Sequence, residues 1–126
     1  MLQKLPIERF SRLILVKEIG LVGLAKLRAA RVLIVGCGAT GSTAAELLVR
    51  LGVGFVRVVD KDFVDASNLP RVHLFDEADA ERSLPKAVVC AEKLRLIDSS
   101  ARIEGVPTRV SAKNLEKLVQ DVDVII

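Results

Sequence analysis

Four apolar residues in a row, Val32-Leu33-Ile34-Val35, break into Gly36-Cys37-Gly38-Ala39-Thr40-Gly41, and a helical pattern from Thr40 to Leu51 follows directly. An apolar run without alternation marks a strand buried on both faces, as parallel sheets require. The glycines let the chain turn sharply out of that strand, and they start a helix whose first amides stay free to meet an anion. This strand–GxGxxG–helix unit restricts the chain to folds in which helices cross over between parallel strands. Gly52 supplies a left-handed stop to the helix. Phe55 to Val59 then reads as a second strand ending at Asp60, Arg102 to Pro107 as a third, and Val122 to Ile126 as the start of a fourth.

Helices occupy the intervals. Pro85 sits well in the first turn of a helix running to about Ile97. Ser111 is placed to cap a helix reaching Val119. From Asp60 to about Ser83 the chain is polar with little periodicity, long for a connector and therefore a candidate functional segment. Strands alternating with helices make right-handed parallel crossovers the simplest topology. The predicted class is α/β, a Rossmann-like doubly wound parallel sheet of which this is the first half, with strand order 3-2-1-4. Residues 1–30 precede it as a helical arm, with Ile7, Phe10, Ile14, Leu21, Leu24 and Leu27 at helical spacing. Gly20 and Gly23 are expected to break the arm into two or three short helices. Residues 31–126 form the nucleotide-binding domain. Its fourth strand would lie beside the first, with Val124-Ile125-Ile126 on a bare apolar edge that natural domains avoid. The expectation is a domain truncated at its C-terminus, whose parent sequence continues past Ile126.

Composition narrows the function classes. With no Trp or Tyr, four Phe and 51% hydrophobic residues, the core must be aliphatic. The net charge of +3 comes from 19 basic and 16 acidic residues that are interspersed, and no Lys/Arg block marks a nucleic-acid or membrane surface. Apolar runs are too short to span a bilayer, and the N-terminus lacks a signal core. Cys37 and Cys90 form no CxxC pair and read as reduced thiols of a cytoplasmic protein.

Asp60 stands 19 residues after Gly41, at a strand end where a carboxylate can accept hydrogen bonds from both ribose hydroxyls. Together with the glycine loop it predicts a bound nucleotide. On these residues alone the ligand is a dinucleotide such as NAD, and an NAD(P)-binding oxidoreductase domain stays open. A dehydrogenase has no use, however, for Asn68, Arg71 and Lys86 on and after the loop leaving the site. Together these three could clamp a triphosphate, although each alone reads as surface decoration. His73, the one histidine, reads as structural or surface.

The motifs Arg9-Phe10-Ser11-Arg12, Ile19-Gly20, Gly52-Val53-Gly54, Asp60-Lys61-Asp62-Phe63-Val64, Ser67-Asn68-Leu69-Pro70-Arg71 and Pro85-Lys86-Ala87 fall in order around the glycine loop. In this the chain resembles the ThiF/MoeB/HesA family of ubiquitin-activating-type adenylyltransferases, from about Glu8 to the last residue. The resemblance implies an ATP site in which Gly36, Gly38, Ala39 and Gly41 form the loop and Asp60 holds the ribose. Ser67, Asn68, Arg71 and Lys86 would contact the triphosphate. Arg12, Arg71 and Lys86 are the implied catalytic residues, Arg12 reaching into the neighbouring subunit of a homodimer as an arginine finger. The implied reaction joins ATP, with Mg²⁺, to the C-terminal glycine of a ubiquitin-like sulfur-carrier protein of the molybdopterin, thiamin or tRNA-thiolation type. No membrane and no direct nucleic-acid partner are expected. The family's metal-binding aspartate and zinc-binding cysteines would lie beyond residue 126, so no metal ligand is assigned here.

Four positions depart from the family pattern. Ala39-Thr40 replaces Gly-Leu in the loop, and Leu13 and Val72 stand where glutamine is usual. Two further readings stay open: a tRNA-modifying dehydratase of the same family, and a non-catalytic dimerising partner.

Overall fold

A computed structural model describes residues 6–126, so the first five residues of the predicted arm lie outside the described residues. In chain order the elements are a 3-10 turn at Leu13–Leu15, α1 (Gly20–Ala29), β1 (Arg31–Val35), α2 (Ala39–Leu51), β2 (Phe55–Asp60), a 3-10 turn at Ala66–Asn68, α3 (Glu77–Arg82), α4 (Lys86–Ile97), β3 (Arg102–Pro107), α5 (Leu115–Val119) and β4 (Val124–Ile125). All pairings are parallel and the strand order is β3-β2-β1-β4, as the alternation of elements predicts.

The register explains why the strands carry uninterrupted apolar runs. Val32 and Ile34 of β1, Val56 and Val58 of β2, and Ile103 of β3 point to one face, where they meet Ala45 and Val49 of α2 and Val89, Cys90, Ala91 and Leu94 of α4. Small residues on the helices let them lie close to the sheet. Each fully buried Val or Leu there contributes about 1.5–3 kcal/mol relative to exposure. Leu33 and Val59 point to the other face, covered by Leu118 of α5. Burial on both faces is what a crossover fold demands of its central strands.

Several local expectations are corrected. Gly23 does not break the arm: α1 runs through it, and only Gly20, at φ +54°, marks a helix start. Ser111 is not an N-cap. The α-helix begins at Leu115 after Asn114, whose side-chain oxygen accepts from the Ser111 N–H at 2.8 Å. The polar stretch after Asp60 is not structureless either. Its second half holds α3, started by a reciprocal box in which Asp76 accepts from the Asp79 N–H and Asp79 from the Asp76 N–H. Lys93 of α4 pairs with both carboxylates.

The arm is fastened by two residues of the Arg9-Phe10 motif. Phe10 is buried against Gly52 and Leu24. Arg9 donates to the Ile97 carbonyl at 2.8 Å and lies 3.5 Å from the Asp98 carboxylate, which Arg28 also holds at 2.9 Å. Among the described residues, no helix is long and apolar enough to cross a membrane.

Candidate nucleotide site

The glycine loop leaves β1 at Gly36, whose φ of +101° is the left-handed turn that glycine adopts without strain. Its N–H donates to the Val59 carbonyl at 2.7 Å, carrying the ladder one step past the strand. The first turn of α2 then presses back on the loop. A Cβ at Gly41 would stand 1.9 Å from the Gly36 carbonyl oxygen, a clash with rigid backbone on both sides. Gly38 differs, because a Cβ there would point into open space. No side chain caps α2. The amides of Ala39, Thr40 and Gly41 have no acceptor within the helix, and they face outward with the positive end of a 13-residue dipole. An open cradle, unspent amides and a positive helix end fit a phosphate group.

Asp60 closes the loop from the β2 side. One carboxylate oxygen accepts from the Cys37 N–H and the other from the Asp62 N–H, each at 2.7 Å. A carboxylate has about four acceptor positions, so capacity remains for ribose hydroxyls. Cys37 lies under the loop. A hydrogen bond with Cys90, then burial, pushes its thiol far above the ordinary range, so it stays protonated.

The connector after β2 delivers Lys86 and Asn68 by hydrogen bonds. Phe63 and Pro85 form an antiparallel bridge, flanked by bonds from the Val64 N–H to the Leu84 carbonyl at 2.8 Å and from the Lys86 N–H to the Asp62 carbonyl at 2.9 Å. That clamp holds the first residue of α4 at the end of β2. Lys86 is 8% exposed, and the nearest carboxylate oxygen, on Asp62, is 3.9 Å from its ammonium nitrogen. A nearly buried ammonium without a close counter-ion is costly by itself and suits an incoming anion. Asn68 is also buried. Its side-chain oxygen accepts from the Asp65 N–H at 3.0 Å, while Asp65 accepts from the Ser67 N–H at 2.8 Å. Because that oxygen is committed as acceptor, the amide nitrogen keeps its donors for a ligand. The Ser67 hydroxyl, then the Ser67 N–H, hold the Asp65 carboxyl below the ordinary carboxylate range. Val72, at the position where the family pattern has glutamine, is fully buried and anchors the turn that follows. Arg71, on that turn, is exposed and donates to the Ser67 carbonyl at 2.8 Å. His73 bonds to Glu46 on α2 at 2.7 Å.

Arg12 stands apart. It is exposed on the arm beside the Leu13–Leu15 turn, and no ion pair joins it to Glu8 among the described residues. A cleft of about 290 Å³ opens at the carboxyl ends of the strands, lined by Gly36, Asp60, Lys61 and Asp62 and by residues that sequence reading did not single out for the site: Val35, Val59, Thr108, Arg109 and Val110. Their signal was positional, since ligands in doubly wound sheets lie at the carboxyl ends of strands. Among the described residues, no group of three or more His, Cys, Asp or Glu could hold a metal ion.

The comparisons agree with this geometry. The chain is 42% identical over 118 residues to the sulfur carrier protein ThiS adenylyltransferase of Bacillus subtilis, covering 94% of this chain and 35% of that protein. Escherichia coli MccB solved with ATP superimposes with a TM-score of 0.80 at 27% identity, over 93% of this chain and 35% of MccB. The E. coli tRNA N6-threonylcarbamoyladenosine dehydratase TcdA, solved with AMP, gives 0.79 at 29% identity, over 90% of this chain and 44% of TcdA. The chain thus spans less than half the length of each. The ThiF family pattern covers residues 10–126, and the chain belongs to the ThiF family.

Proposed function

We propose that the chain carries the ATP-binding part of a cytoplasmic enzyme that adenylates the C-terminal glycine of a ubiquitin-like sulfur-carrier protein. The observation that supports this most is Lys86: an almost buried ammonium, clamped to the end of β2 beside the glycine loop, with its nearest carboxylate 3.9 Å away. A dinucleotide site with two bridged phosphates has no need of it; a triphosphate does. The 42% identity to a ThiS adenylyltransferase points to the same chemistry.

In this reading the carrier's carboxylate, ionised at neutral pH, attacks the α-phosphorus of ATP. The bond from that phosphorus to the bridging oxygen breaks, and pyrophosphate leaves. No general base is required; the protein supplies position and charge neutralisation. Asp60 holds the ribose. The backbone of Gly36, Gly38, Ala39 and Gly41 lies against the phosphates, and Ser67, Asn68, Arg71 and Lys86 offer directed donors and charge. Arg12 acts from the neighbouring subunit of a homodimer, a reading that its absence from the lining of its own cleft supports. The described residues include no carboxylate cluster that fits Mg²⁺, and no step is assigned to it.

Calorimetric titration with ATP and with NAD tests the nucleotide. ATP should be preferred, and Asp60→Ala should weaken it by about 1–3 kcal/mol as a charged acceptor is lost; preference for NAD overturns the proposal. The likeness to TcdA favours a second reading, adenylation of a tRNA base modification. ATP–pyrophosphate exchange that responds to tRNA and not to a glycine-ended carrier would select it.

A further inference from the structure

Among the described residues, every hydrogen bond between α2 and the connector of residues 61–85 runs through one side chain, His73. Its neighbour Val72 is fully buried and, with Phe75, plugs the turn into the core. Apolar burial is non-directional, so those plugs set how deep the turn sits and not where it stands along α2. His73 is exposed on the same turn, two residues after Arg71. Its Nε2 lies 2.7 Å from one carboxylate oxygen of Glu46, and the other oxygen accepts from Arg50 Nε at 2.9 Å. These bonds, that of Arg50 first, hold the Glu46 carboxyl below the ordinary carboxylate range. An ionised carboxylate can only accept, so Nε2 carries a proton and donates it to that bond. Nδ1 lies 3.4 Å from the Thr43 hydroxyl, which itself donates to the Ala39 carbonyl at 2.7 Å. Ala39 is the first residue of α2, and its N–H is one of the free amides of the cradle. Where the family pattern has a glutamine, Val72 offers no polar group, and the residue after it supplies the polar link.

We propose that His73 is a positioning residue: its bonds to Glu46 and Thr43 hold the turn carrying Arg71 against α2, so that the Arg71 guanidinium and the helix amides converge on one set of phosphates. This role rests on the nucleotide reading above, in which Arg71 meets the triphosphate. His73 itself touches no reacting atom. Arg71 is exposed and is steadied within its own turn, its Nη1 donating to the Ser67 carbonyl at 2.8 Å and its N–H to the Asn68 carbonyl at 3.1 Å. A guanidinium acts through directed donors, and such bonds weaken steeply once their angle is lost. The turn must therefore keep its place relative to α2, and His73 is the tether. The effect has a ceiling. Freeing the turn cannot cost ATP binding more than the tether was worth, which for an exposed pair is about fivefold at most.

The test titrates the full chain with ATP and with adenosine, which keeps base and ribose but has no phosphate. Wild type is compared with His73→Ala, His73→Gln, Arg71→Ala and the double variant of Arg71→Ala with His73→Ala. His73→Ala should weaken ATP by about two- to fivefold, leave adenosine unchanged and barely move the melting temperature. Glutamine offers an amide donor near the place of Nε2 and should recover most of the ATP affinity. Because His73 acts through Arg71, the double variant should bind ATP no more weakly than Arg71→Ala alone. A further loss in the double variant would overturn the inference, as would equal losses for ATP and adenosine, or alanine and glutamine variants that bind ATP alike. A large drop in melting temperature with His73→Ala would assign the residue to the fold and overturn it too. Where wild type binds ATP and Arg71→Ala weakens it, but His73→Ala does nothing, only this inference fails. Where wild type binds no ATP, the proposed function fails and takes it along.

Discussion

Between β1 and α2 the chain passes the site in residues 36–38; between β2 and α4 it takes residues 61–85. Both segments bring donors to the same end of the sheet, by opposite means. The short one works by lacking side chains: Gly36 turns, Gly41 lets α2 sit on the turn, and the donors are backbone amides. The long one works through side chains: Asp65 and Asn68 box a 3-10 turn, Asp76 and Asp79 start α3, and Val72 and Phe75 plug the core. A backbone site is rigid, and added atoms disturb it without any intermediate state. A side-chain site can be taken apart one hydrogen bond at a time, so the two segments should fail differently.

Gly41→Ala should do the most damage. Its Cβ would meet the Gly36 carbonyl at 1.9 Å, and neither partner is a flexible side chain. Overpacking against backbone costs about 3 kcal/mol or more, so the expected result is a large drop in melting temperature or failure to fold. Gly38→Ala, with nothing within 4 Å, should keep the fold and lose ATP binding, because its methyl fills the cradle. Equal stability losses for the two would mean that the loop is not organised as described.

Lys86→Met comes next and should separate function from fold. It removes an ammonium that has no close counter-ion, so thermal stability should hold or rise slightly. ATP affinity should fall by about 1.5–3 kcal/mol, the range for a hydrogen bond to a charged group. A parallel fall in melting temperature would show that Lys86 serves the fold rather than a ligand.

How far sequence reading reached follows the same division. The short segment was fully legible because its signals are local: an apolar run, glycines at fixed offsets, then helical periodicity. Sheet order followed, since alternating strands and helices leave few topologies open. In the long segment Asn68, Arg71 and Lys86 were found through motif resemblance, and nothing local announced how they are held. The box at Asp76 and Asp79 was readable from an acidic residue three positions after a candidate cap, but its aspartate stands where glutamate is the commoner signal. Arg109 was missed because cleft membership depends on a ladder pairing between Asp60 and Pro107, which no short-range pattern encodes. Gly23 was misread as a helix breaker because an isolated glycine costs a helix only about 1 kcal/mol, too little to stop α1 where Leu24 is fully buried.

Asn68→Ala and Asn68→Asp sharpen the contrast at intermediate cost. Alanine leaves the Asp65 N–H without its acceptor, an expected loss of about 1–3 kcal/mol. Aspartate restores an acceptor in the same place and should recover most of that stability. It offers no N–H donors and adds a negative charge, so ATP binding should stay lost in both variants. Recovery of binding with aspartate would assign Asn68 to the turn alone.

The smallest expected effect is a pH response confined to the long segment. The Ser67 hydroxyl and N–H hold the Asp65 carboxyl below its ordinary value in the folded chain. A carboxyl whose folded value is depressed contributes stability that is fully present above its unfolded value, about 3.9, and is lost as pH falls through the folded value. Protonation removes the charge that the Ser67 donors favour, and the 3-10 turn at Ala66–Asn68 should then loosen. Hydrogen exchange followed residue by residue from pH 5 downward should show the Asn68 and Val72 amides losing protection below about pH 4. Over the same range the Ser42 amide, which donates to Gly38 at 3.0 Å in the short segment, should change less. Asp65→Asn should abolish the difference, because a neutral side chain has no proton to gain there. If Ser42 and Val72 lose protection together, acid is unfolding the domain as one unit, and the two segments are not separately stabilised.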